Sequence, residues 1–558
     1  MSDLFGDPGT THRFRGVAEN VLDALLSARP EWATDLGDHR FDDRLTDWSP
    51  DAVATHTGTL ADALSALDDV DDTALAPDDR VDLEILRTAV TREVWELAEL
   101  RAHEWDPLLH LPGDALYPLI AKETGTPAER LRALGARLTA VPEVLEVARD
   151  TLRNMPRVHV ETAISRTTGV LNLIDADLEP LLAADPAAAR TVVAAREPAA
   201  AALLEHRAWL EDRLPRSDRD PALGEQAYAA RLWYTLDTET GPDALLTRAE
   251  SDLQAIEERI AEEAATFARV PPRPGLVREV LDGLAHGAPV TDASILDLCR
   301  DALAAATARV RELDLVTVPD VGVVVEEMPE IRRGVAVAYC DAPGPLEPRA
   351  ADVPMIFAVS PTPAGWSPER VGSFYREYNG HMLRDLSVHE GVPGHVLQLA
   401  HAARHRAGTR VRAAFRSGPF VEGWAVYAEE MLAEAGLGLG PEVDAGLRMQ
   451  QLKMQLRSTI NAILDIRVHA HGMTEEEARR LMVERGHQEE GEAAGKWRRA
   501  QLTSAQLATY YVGYREVSEL AVDLAQARPG CDRRQVHDEM LSHGSPPPRH
   551  LRGLLALD

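Results

Sequence analysis

The chain has 558 residues, enough for several ordinary domains or for one large enzyme with two lobes. Its formal net charge of −32 argues against nucleic acid as a partner, because phosphate binding needs clustered Lys and Arg side chains. The 3 cysteines lie far apart with no CxxC pair, which favours a reducing compartment.

The N-terminal segment, residues 1–16, carries charges where a signal peptide would need an apolar core. No run of about 18 uncharged apolar residues occurs in the sequence, so no membrane-spanning helix is predicted. We therefore expect a cytoplasmic protein without a membrane partner. The sequence does not predict an oligomeric state.

Most of the chain predicts amphipathic helices, with Ala, Leu, Glu and Arg at about 3.6-residue spacing and Gly or Pro at the breaks. Clear examples are residues 16–30, 128–155 and 243–270. The alanine-rich stretch 183–202 instead indicates a poorly packed connection between helices.

A Pro- and Gly-rich segment, residues 270–276, is the clearest interruption in the first half of the chain. We expect an N-terminal helical lobe over residues 1–270. A second helical lobe, which carries the motifs described below and is the expected catalytic part, covers residues 271–558.

The sequence changes character between about residues 322 and 363. Three short runs rich in β-branched residues, at 321–328, 334–343 and 353–363, are separated by Gly and Pro turns and predict a small β-sheet. An exposed strand of such a sheet can receive an extended peptide through main-chain hydrogen bonds. The alternative is a minor sheet that only packs against a loop.

The segment Ser387–Gln398 reads SVHEGVPGHVLQ and holds two histidines, His389 and His395, six residues apart. A zinc hydrolase needs three protein ligands, an open position for water and a carboxylate beside that water. On a regular helix, a six-residue separation turns the second side chain about 120° away from the first. Pro393 and Gly394 can bulge out and return the second histidine to the first, or else the helix ends here and a new one begins.

Carboxylates near these histidines complete the candidate metal site. Segment 417–436 predicts a capped helix, and Glu422 in its first turn lies among apolar and aromatic residues, where a bare charge is costly. A metal would offset that cost, so Glu422 is the candidate third ligand, and Glu429, on the same helix face, is a candidate hydrogen-bond partner of a metal ligand. Asp385, four residues before His389, is a candidate hydrogen-bond acceptor for a ligand imidazole, or else a plain surface carboxylate.

Gln506, Tyr510 and Tyr514 recur at four-residue steps beside Gly513, which allows a close approach. Hydrolysis of an amide builds an oxyanion that needs a hydrogen-bond donor besides the metal, and Tyr510 is the candidate for that role. Tyr514 is a candidate substrate contact. The alternative for this stripe is ordinary helix packing.

A second polar stripe, made of Arg457, Asn461, Asp465 and His469, lies on a helix predicted to end at Gly472. If the stripe lines a polar cleft, Asp465 orients His469 as a catalytic group and Arg457 binds a substrate carboxylate. The alternative is a solvated helix face.

Together these segments resemble the bacterial family called domain of unknown function 885, a group of expected zinc metallopeptidases. The resemblance rests on short motifs in this order along the chain: REYN at Arg376–Asn379, HEGVPGHVLQ, EGWAVYAEE, DIRVHAHGM and TYYVG. The N-terminal segment PEWATDLGDHRFDDRL is also similar, so the match covers nearly the whole chain.

That family looks distantly similar to gluzincin-like helical metallopeptidases, typified by thimet oligopeptidase, carboxypeptidase Taq and angiotensin-converting enzyme. The resemblance implies a mainly α fold in which two helical lobes surround a deep channel. It also implies His389, His395 and Glu422 as zinc ligands and Glu390 as general base, and it independently favours Tyr510.

We therefore expect a Zn²⁺-dependent metallopeptidase that cleaves short peptides, in which Glu390 takes the proton of the attacking water and returns it to the leaving amine. Two alternatives stay open. The same zinc site can act on a small amide metabolite, or the chain can be a metal-free or degenerate peptide-binding protein. The degenerate alternative arises because the resemblance implies a second histidine in many relatives at the position where this chain has Val396.

Overall fold

The computed structural model describes residues 6–329, 337–350 and 353–557, and the predicted mainly α fold with a small sheet is confirmed. The chain forms two compact units. The first comprises Met1–Pro221, Pro343–Val353 and Ala407–Phe415, and the second comprises Ala222–Ala342, Pro354–Arg406 and Arg416–Asp558. Among the described residues, no helix has the length and apolar character needed to cross a membrane.

The first unit begins with a series of helices that carry standard N-terminal caps. The Asp7 side chain caps the first helix, and Thr126 and Glu129 form a capping box at the sixth. The helices are α1 (Pro8–Ala28), α2 (Pro30–Leu36), α3 (Pro50–Asp68), α4 (Pro77–Trp95), α5 (Gly113–Ala121), α6 (Pro127–Thr151), α7 (Arg157–Asn172), α8 (Glu179–Ala184) and α9 (Arg190–Arg213).

The alanine-rich stretch 183–202 is packed, so its interpretation as a loose connection was wrong. Its residues from Arg190 onward belong to α9, and Val192, Ala199 and Leu203 of this helix are buried. Alanine has the highest helix propensity and a small side chain, which lets a neighbouring helix approach closely. The biased composition therefore indicated a closely packed helix.

The second unit contains the sheet and most of the remaining helices. Its first elements are α10 (Glu225–Leu236), α11 (Pro242–Ala268), α12 (Leu276–Gly287), α13 (Ile295–Glu312), β1 (Val323–Glu327), β2 (Ala338–Asp341) and β3 (Met355–Val359). They are followed by α14 (Pro368–Glu377), α15 (Gly380–Glu390), α16 (His395–Ala402), α18 (Gly418–Ala435), α19 (Pro441–Ala470), α20 (Glu475–Arg480), α21 (Glu490–Leu502), α22 (Thr509–Ala527), α23 (Arg533–Leu541) and α24 (Pro548–Leu554). The short helix α17 (Val411–Ala414), between α16 and α18 in sequence, belongs to the first unit.

The largest core of the second unit lies along α19, a helix of 30 residues that is buried over most of its surface. Leu456, Ile460 and Ile463 of α19 pack in one cluster with Leu253 and Ile260 of α11. Burying such side chains contributes about 1.5–3 kcal/mol each, which makes α19 a rigid support for the elements around it.

The predicted sheet between residues 322 and 363 is confirmed, with three strands in the order β1-β3-β2. β3 is parallel to β1 and antiparallel to β2, and the register places Cys340 of β2 opposite Phe357 of β3. Residues 334–336 of the second predicted run lie outside the described residues. Within the described residues β2 is an edge strand, so one side of its backbone faces away from β3.

Candidate metal centre

The two histidines of SVHEGVPGHVLQ lie on different helices and still meet. α15 ends at Glu390 and α16 begins at His395. The imidazole rings of His389 and His395 have centroids 4.6 Å apart and planes at 86°. The sequence presented a helix end and a convergence of the histidines as alternatives. The structure combines them, because the chain changes direction between two helices instead of bulging within one.

The four-residue linker folds back onto α15 through backbone contacts. The Gly394 amide donates to the Val388 carbonyl oxygen at 3.0 Å. A Cβ on Gly394 would lie 1.9 Å from the His389 carbonyl oxygen, so this approach requires glycine. The peptide bond before Pro393 is cis, and Trp424 Nε1 donates to the Pro393 carbonyl oxygen at 2.8 Å. The tryptophan of EGWA thus holds the linker that joins the two histidines.

Glu422 brings a carboxylate to the two imidazoles. It stands in the first turn of α18, where the Ser417 side chain accepts from the Phe420 amide as the predicted N-cap. Glu422 Oε2 lies 3.5 Å from Nε2 of His389 and 3.5 Å from Nε2 of His395. One ligand atom from each of the three residues lies within 4.8 Å of the others. We call these three residues the His/His/Glu cluster.

The donor atoms of this cluster fit a metal cation. His389 Nδ1 donates to Glu429 Oε1 at 2.5 Å, which leaves Nε2, the ring nitrogen that faces Glu422, as the atom that can bind a metal. Glu422 Oε2 is buried and has no hydrogen-bond partner in the described part of the chain. Burial alone would raise the pKa of Glu422, but the adjacent imidazoles of His389 and His395 lower it, so the carboxylate stays ionised. Two imidazole nitrogens and a carboxylate oxygen are donors that Zn²⁺ takes in catalytic sites.

Glu429, and not Asp385, accepts the hydrogen bond from Nδ1 of His389. Asp385 is nevertheless buried near both groups, so it is not the surface carboxylate that the sequence left as an alternative. Burial and the charge of Glu429 raise the pKa of the Asp385 carboxyl well above its usual range. Both carboxyl groups expected around the ligand imidazole are therefore present, with the hydrogen bond made by Glu429.

Glu390 is held by the edge strand of the sheet. Its Oε2 accepts from the Cys340 amide of β2 at 2.9 Å, and the side chain is buried. The Cys340 amide donates to Glu390 and therefore points away from β3, where Phe357 is the residue opposite Cys340. The outer edge of β2 therefore faces Glu390.

Tyr510 lies on α22 close to Glu422, whose negative charge is the largest cause of the raised pKa of the tyrosine. The Tyr510 hydroxyl is therefore protonated. It accepts from Arg499 Nη2 at 3.4 Å and from Gln506 Nε2 at 3.5 Å. Its own proton takes part in neither bond, so it can donate to another group.

Two glycines explain why Tyr510 and Glu422 are neighbours. A Cβ on Gly423 would lie 2.3 Å from the Gly513 backbone, and a Cβ on Gly513 would lie 2.1 Å from the Pro419 carbonyl oxygen. Helices α18 and α22 therefore touch backbone to backbone. The EGWA and TYYVG motifs each contribute one of these glycines.

Tyr514 and Arg457 make other polar contacts. The Tyr514 hydroxyl donates to Glu430 at 2.6 Å. Arg457 forms an ion pair with Glu492, and its Nη1 donates to the Tyr378 hydroxyl at 3.2 Å. The structure thus joins Tyr510 to the cluster, whereas Tyr514 and Arg457 are engaged in internal interactions.

His469 and Asp465 support the segment that leads into α22. His469 Nε2 donates to the Thr503 carbonyl oxygen at 2.8 Å. Asp465 accepts from the amides of Ala505 and Ala508 at 2.9 Å and 3.0 Å. Both side chains therefore hold the backbone before the helix that carries the candidate tyrosine.

The sequence did not predict that Arg499 and the Cys340 amide contact the candidate site residues Tyr510 and Glu390. A backbone amide can come from any residue, so Cys340 carried no signal. Arg499 lies in KWRRAQL, within a chain whose positive charge is nearly all arginine. No spacing rule related it to Tyr510.

A mainly helical fold with a His/His/Glu cluster beside a short sheet defines the chain as a candidate metal-dependent protein. It belongs to the family described as bacterial protein of unknown function (DUF885), whose family model matches residues 30–555. The comparison with curated proteins gives no match.

Solved structures that share this fold include two bacterial proteins. One, described as a putative lipoprotein of unknown function from Shewanella oneidensis, has 26% sequence identity and a TM-score of 0.82, over 97% of this chain and 99% of that chain. The other, described as a putative lipoprotein from Colwellia psychrerythraea, has 16% identity and a TM-score of 0.80, over 98% of this chain and 100% of that chain. The second similarity supports the fold alone.

Proposed function

We propose that the protein is a zinc-dependent hydrolase that cleaves the peptide bonds of short peptides. The observation that carries this proposal is the convergence of His389, His395 and Glu422, whose ligand atoms lie within 4.8 Å of one another. Glu390 directly follows the first histidine in sequence, which supports a carboxylate base at the same site. A buried structural salt bridge would explain the ion pairs, but it would leave Glu422 Oε2 without a hydrogen bond.

The cluster residues would hold the ion through His389 Nε2, His395 Nε2 and Glu422 Oε2. When bound, zinc supplies Lewis acidity, which polarises a carbonyl and lowers the pKa of water. Glu429 keeps the ring of His389 oriented and its Nδ1 protonated.

Glu390 acts as the general base. The Cys340 amide binds one of its carboxylate oxygens, which leaves the other to accept a proton from the attacking water and to return it to the leaving amine. Tyr510 donates its hydroxyl proton in a hydrogen bond to the oxyanion that forms as the carbonyl is attacked. Its raised pKa keeps that proton on the phenol.

The β2 edge supports a peptide as the substrate. An extended chain that pairs with this edge beside Cys340, whose amide already donates to Glu390, gains main-chain hydrogen bonds and runs past that carboxylate. Only an extended, unfolded segment can pair in this way, which favours short peptides over folded proteins.

Metal analysis of the purified protein tests the proposal first. We expect about one zinc per chain by mass spectrometry of the dissolved metal, and its loss in His395→Ala, because a three-ligand site rarely retains its ion with two ligands. Glu390→Gln keeps the metal, because glutamine preserves the shape of a side chain that is not a ligand. Absence of stoichiometric metal from the wild-type protein would refute the proposal.

Hydrolysis of a mixed peptide library, followed by mass spectrometry, tests the reaction. Glu390→Gln loses turnover by about 100- to 10,000-fold, because the amide cannot accept the proton. Glu476→Gln, an exposed glutamate of α20, is the matched control and retains wild-type turnover. Turnover by Glu390→Gln at the wild-type rate would remove Glu390 from the mechanism. Cleavage of small amides without cleavage of peptides would redirect the substrate assignment.

A further inference from the structure

Two of the chain's few lysines are buried in one polar region of the second unit. Lys453 is 6% exposed and Lys496 is 5% exposed, in a chain whose other positive charges are almost all arginine. A buried ammonium group is costly unless a carboxylate or another acceptor compensates its charge. The charges around these lysines therefore decide what the region can bind.

The region contains fewer carboxylates than cations. Lys453 Nζ lies 3.0 Å from Glu377 Oε2. Arg457 pairs with Glu492 Oε1, and Lys496 Nζ lies 3.8 Å from that same oxygen. Burial, followed by the positive charge of Arg457, lowers the pKa of Lys496 to about 7, as expected for a lysine that lacks a carboxylate of its own. We call these five residues the cationic cluster.

Arg499 extends the cationic cluster toward the candidate metal centre. It follows Lys496 by three residues on α21, so the two side chains share a helix face. Arg499 Nη2 donates to Gln506 Oε1 at 2.8 Å and to the Tyr510 hydroxyl at 3.4 Å. Both acceptors are neutral, and in the described part of the chain no carboxylate forms an ion pair with Arg499. A guanidinium has five N–H donors, so Arg499 has donors left for a ligand.

We infer that Arg499, with Lys496 behind it, binds a carboxylate group of the substrate next to Tyr510. This inference rests on the proposed function, because it places the carboxylate beside the tyrosine that contacts the reacting carbonyl. A planar carboxylate matches the fork of a guanidinium with two parallel hydrogen bonds. The negative charge also compensates Arg499, which forms an ion pair with no carboxylate of the described residues.

The assignment names a substrate class. The peptide carries a carboxylate close to the bond that is cleaved, as a free C-terminus or as an acidic side chain. Charge-assisted hydrogen bonds of this kind raise the binding affinity by about 10- to 100-fold.

Peptide binding to the Glu390→Gln protein, which does not turn over, tests the assignment by calorimetry. The probes are tri-alanine, tri-alanine amide and Ala-Ala-Asp amide. We expect a carboxylate-bearing probe to bind about 10- to 100-fold more tightly than tri-alanine amide. Preference for tri-alanine identifies the free C-terminus, and preference for Ala-Ala-Asp amide identifies an acidic side chain.

The Arg499→Gln change, introduced into the Glu390→Gln protein, abolishes this preference. Arg498→Gln, a change at the exposed neighbour on α21, keeps it. Arg499→Lys keeps part of the preference for a carboxylate, because lysine retains the positive charge but cannot donate two parallel hydrogen bonds. Thermal unfolding of each variant checks that the fold is intact.

Equal binding of all three probes, or no binding of any, would overturn the assignment. The assignment would also be overturned if Arg499→Gln weakened the binding of all three probes equally. That result would mean that Arg499 only holds Tyr510 in place and does not recognise a carboxylate. The binding experiment does not require hydrolysis. A clear carboxylate preference in a protein that cleaves no peptide would therefore contradict the proposed function and leave the carboxylate site intact.

Discussion

Gly513→Ala tests whether the backbone contact between α18 and α22 places Tyr510 beside the His/His/Glu cluster. The new methyl group would lie 2.1 Å from the Pro419 carbonyl oxygen, whereas ordinary contact begins at 3.4 Å. Both the methyl group and the oxygen belong to rigid helices, so neither can move alone. The helices must separate locally by roughly 1.3 Å, the difference between these distances.

The magnitude follows from that displacement. Overpacking of a closed contact costs about 1–3 kcal/mol of unfolding free energy. A shift of about 1 Å in a catalytic group costs about 100-fold in rate. We therefore expect kcat/KM for peptide hydrolysis to fall by about 100-fold in Gly513→Ala. Zinc content falls much less than turnover, because only Glu422 of the three candidate ligands lies on either of the two helices.

The assay combines peptide turnover, metal content and denaturant unfolding on the same preparation. Gly283→Ala is the control, because Gly283 is also a helical glycine and a Cβ there meets nothing within 4 Å. This control stabilises the protein by about 0.4–1 kcal/mol and leaves turnover intact. If Gly513→Ala matches Gly283→Ala in both stability and turnover, the helix contact does not position Tyr510.

Two further predictions concern hydrogen bonds to histidines. Glu429→Gln weakens zinc binding by about 10- to 100-fold in a competitive chelator titration, because Glu429 orients His389 at 2.5 Å; unchanged affinity would contradict this role. In the first unit, Asp42, aided by Glu347, raises the pKa of His39 to about 9. Because the folded-state pKa is the higher one, His39 stabilises the fold below its unfolded pKa of about 6.5 and loses that effect as pH rises through 9. His39→Gln therefore lowers the unfolding free energy by about 1–2 kcal/mol at pH 6, after allowance for solvent screening, and by little above pH 9. Equal losses in urea titrations at both pH values would refute this explanation.

Local sequence signals were sufficient for individual elements. Ser417 and Gly436 mark the ends of α18 in the sequence, and the structure has that helix at Gly418–Ala435. The sheet was equally recognisable from its β-branched runs and turns. The alanine-rich stretch was misinterpreted, because composition alone does not distinguish a close helix contact from a loose connection.

The site was predictable where chemistry and spacing coincide in short motifs, as for His389, His395 and Glu422. Hydrogen-bond partners were harder to predict. Glu390 binds the amide of Cys340, which is 50 residues earlier in the chain, and no side-chain identity indicates such a partner. Likewise, Asp385 and Glu429 were both reasonable acceptors for His389, and only the packing of α18 against α15 selects Glu429.

By itself, the sequence determined the helical class, the small sheet, the family motifs and the residue types able to bind a metal. These follow from local propensity and from the chemistry of single side chains. The tertiary structure decided that the chain folds back at Gly394, that Gly423 and Gly513 let two helices touch, and that Arg499 lies beside Tyr510. Such relations depend on which backbones approach within a few ångströms, and this proximity arises from packing of elements that are distant in sequence.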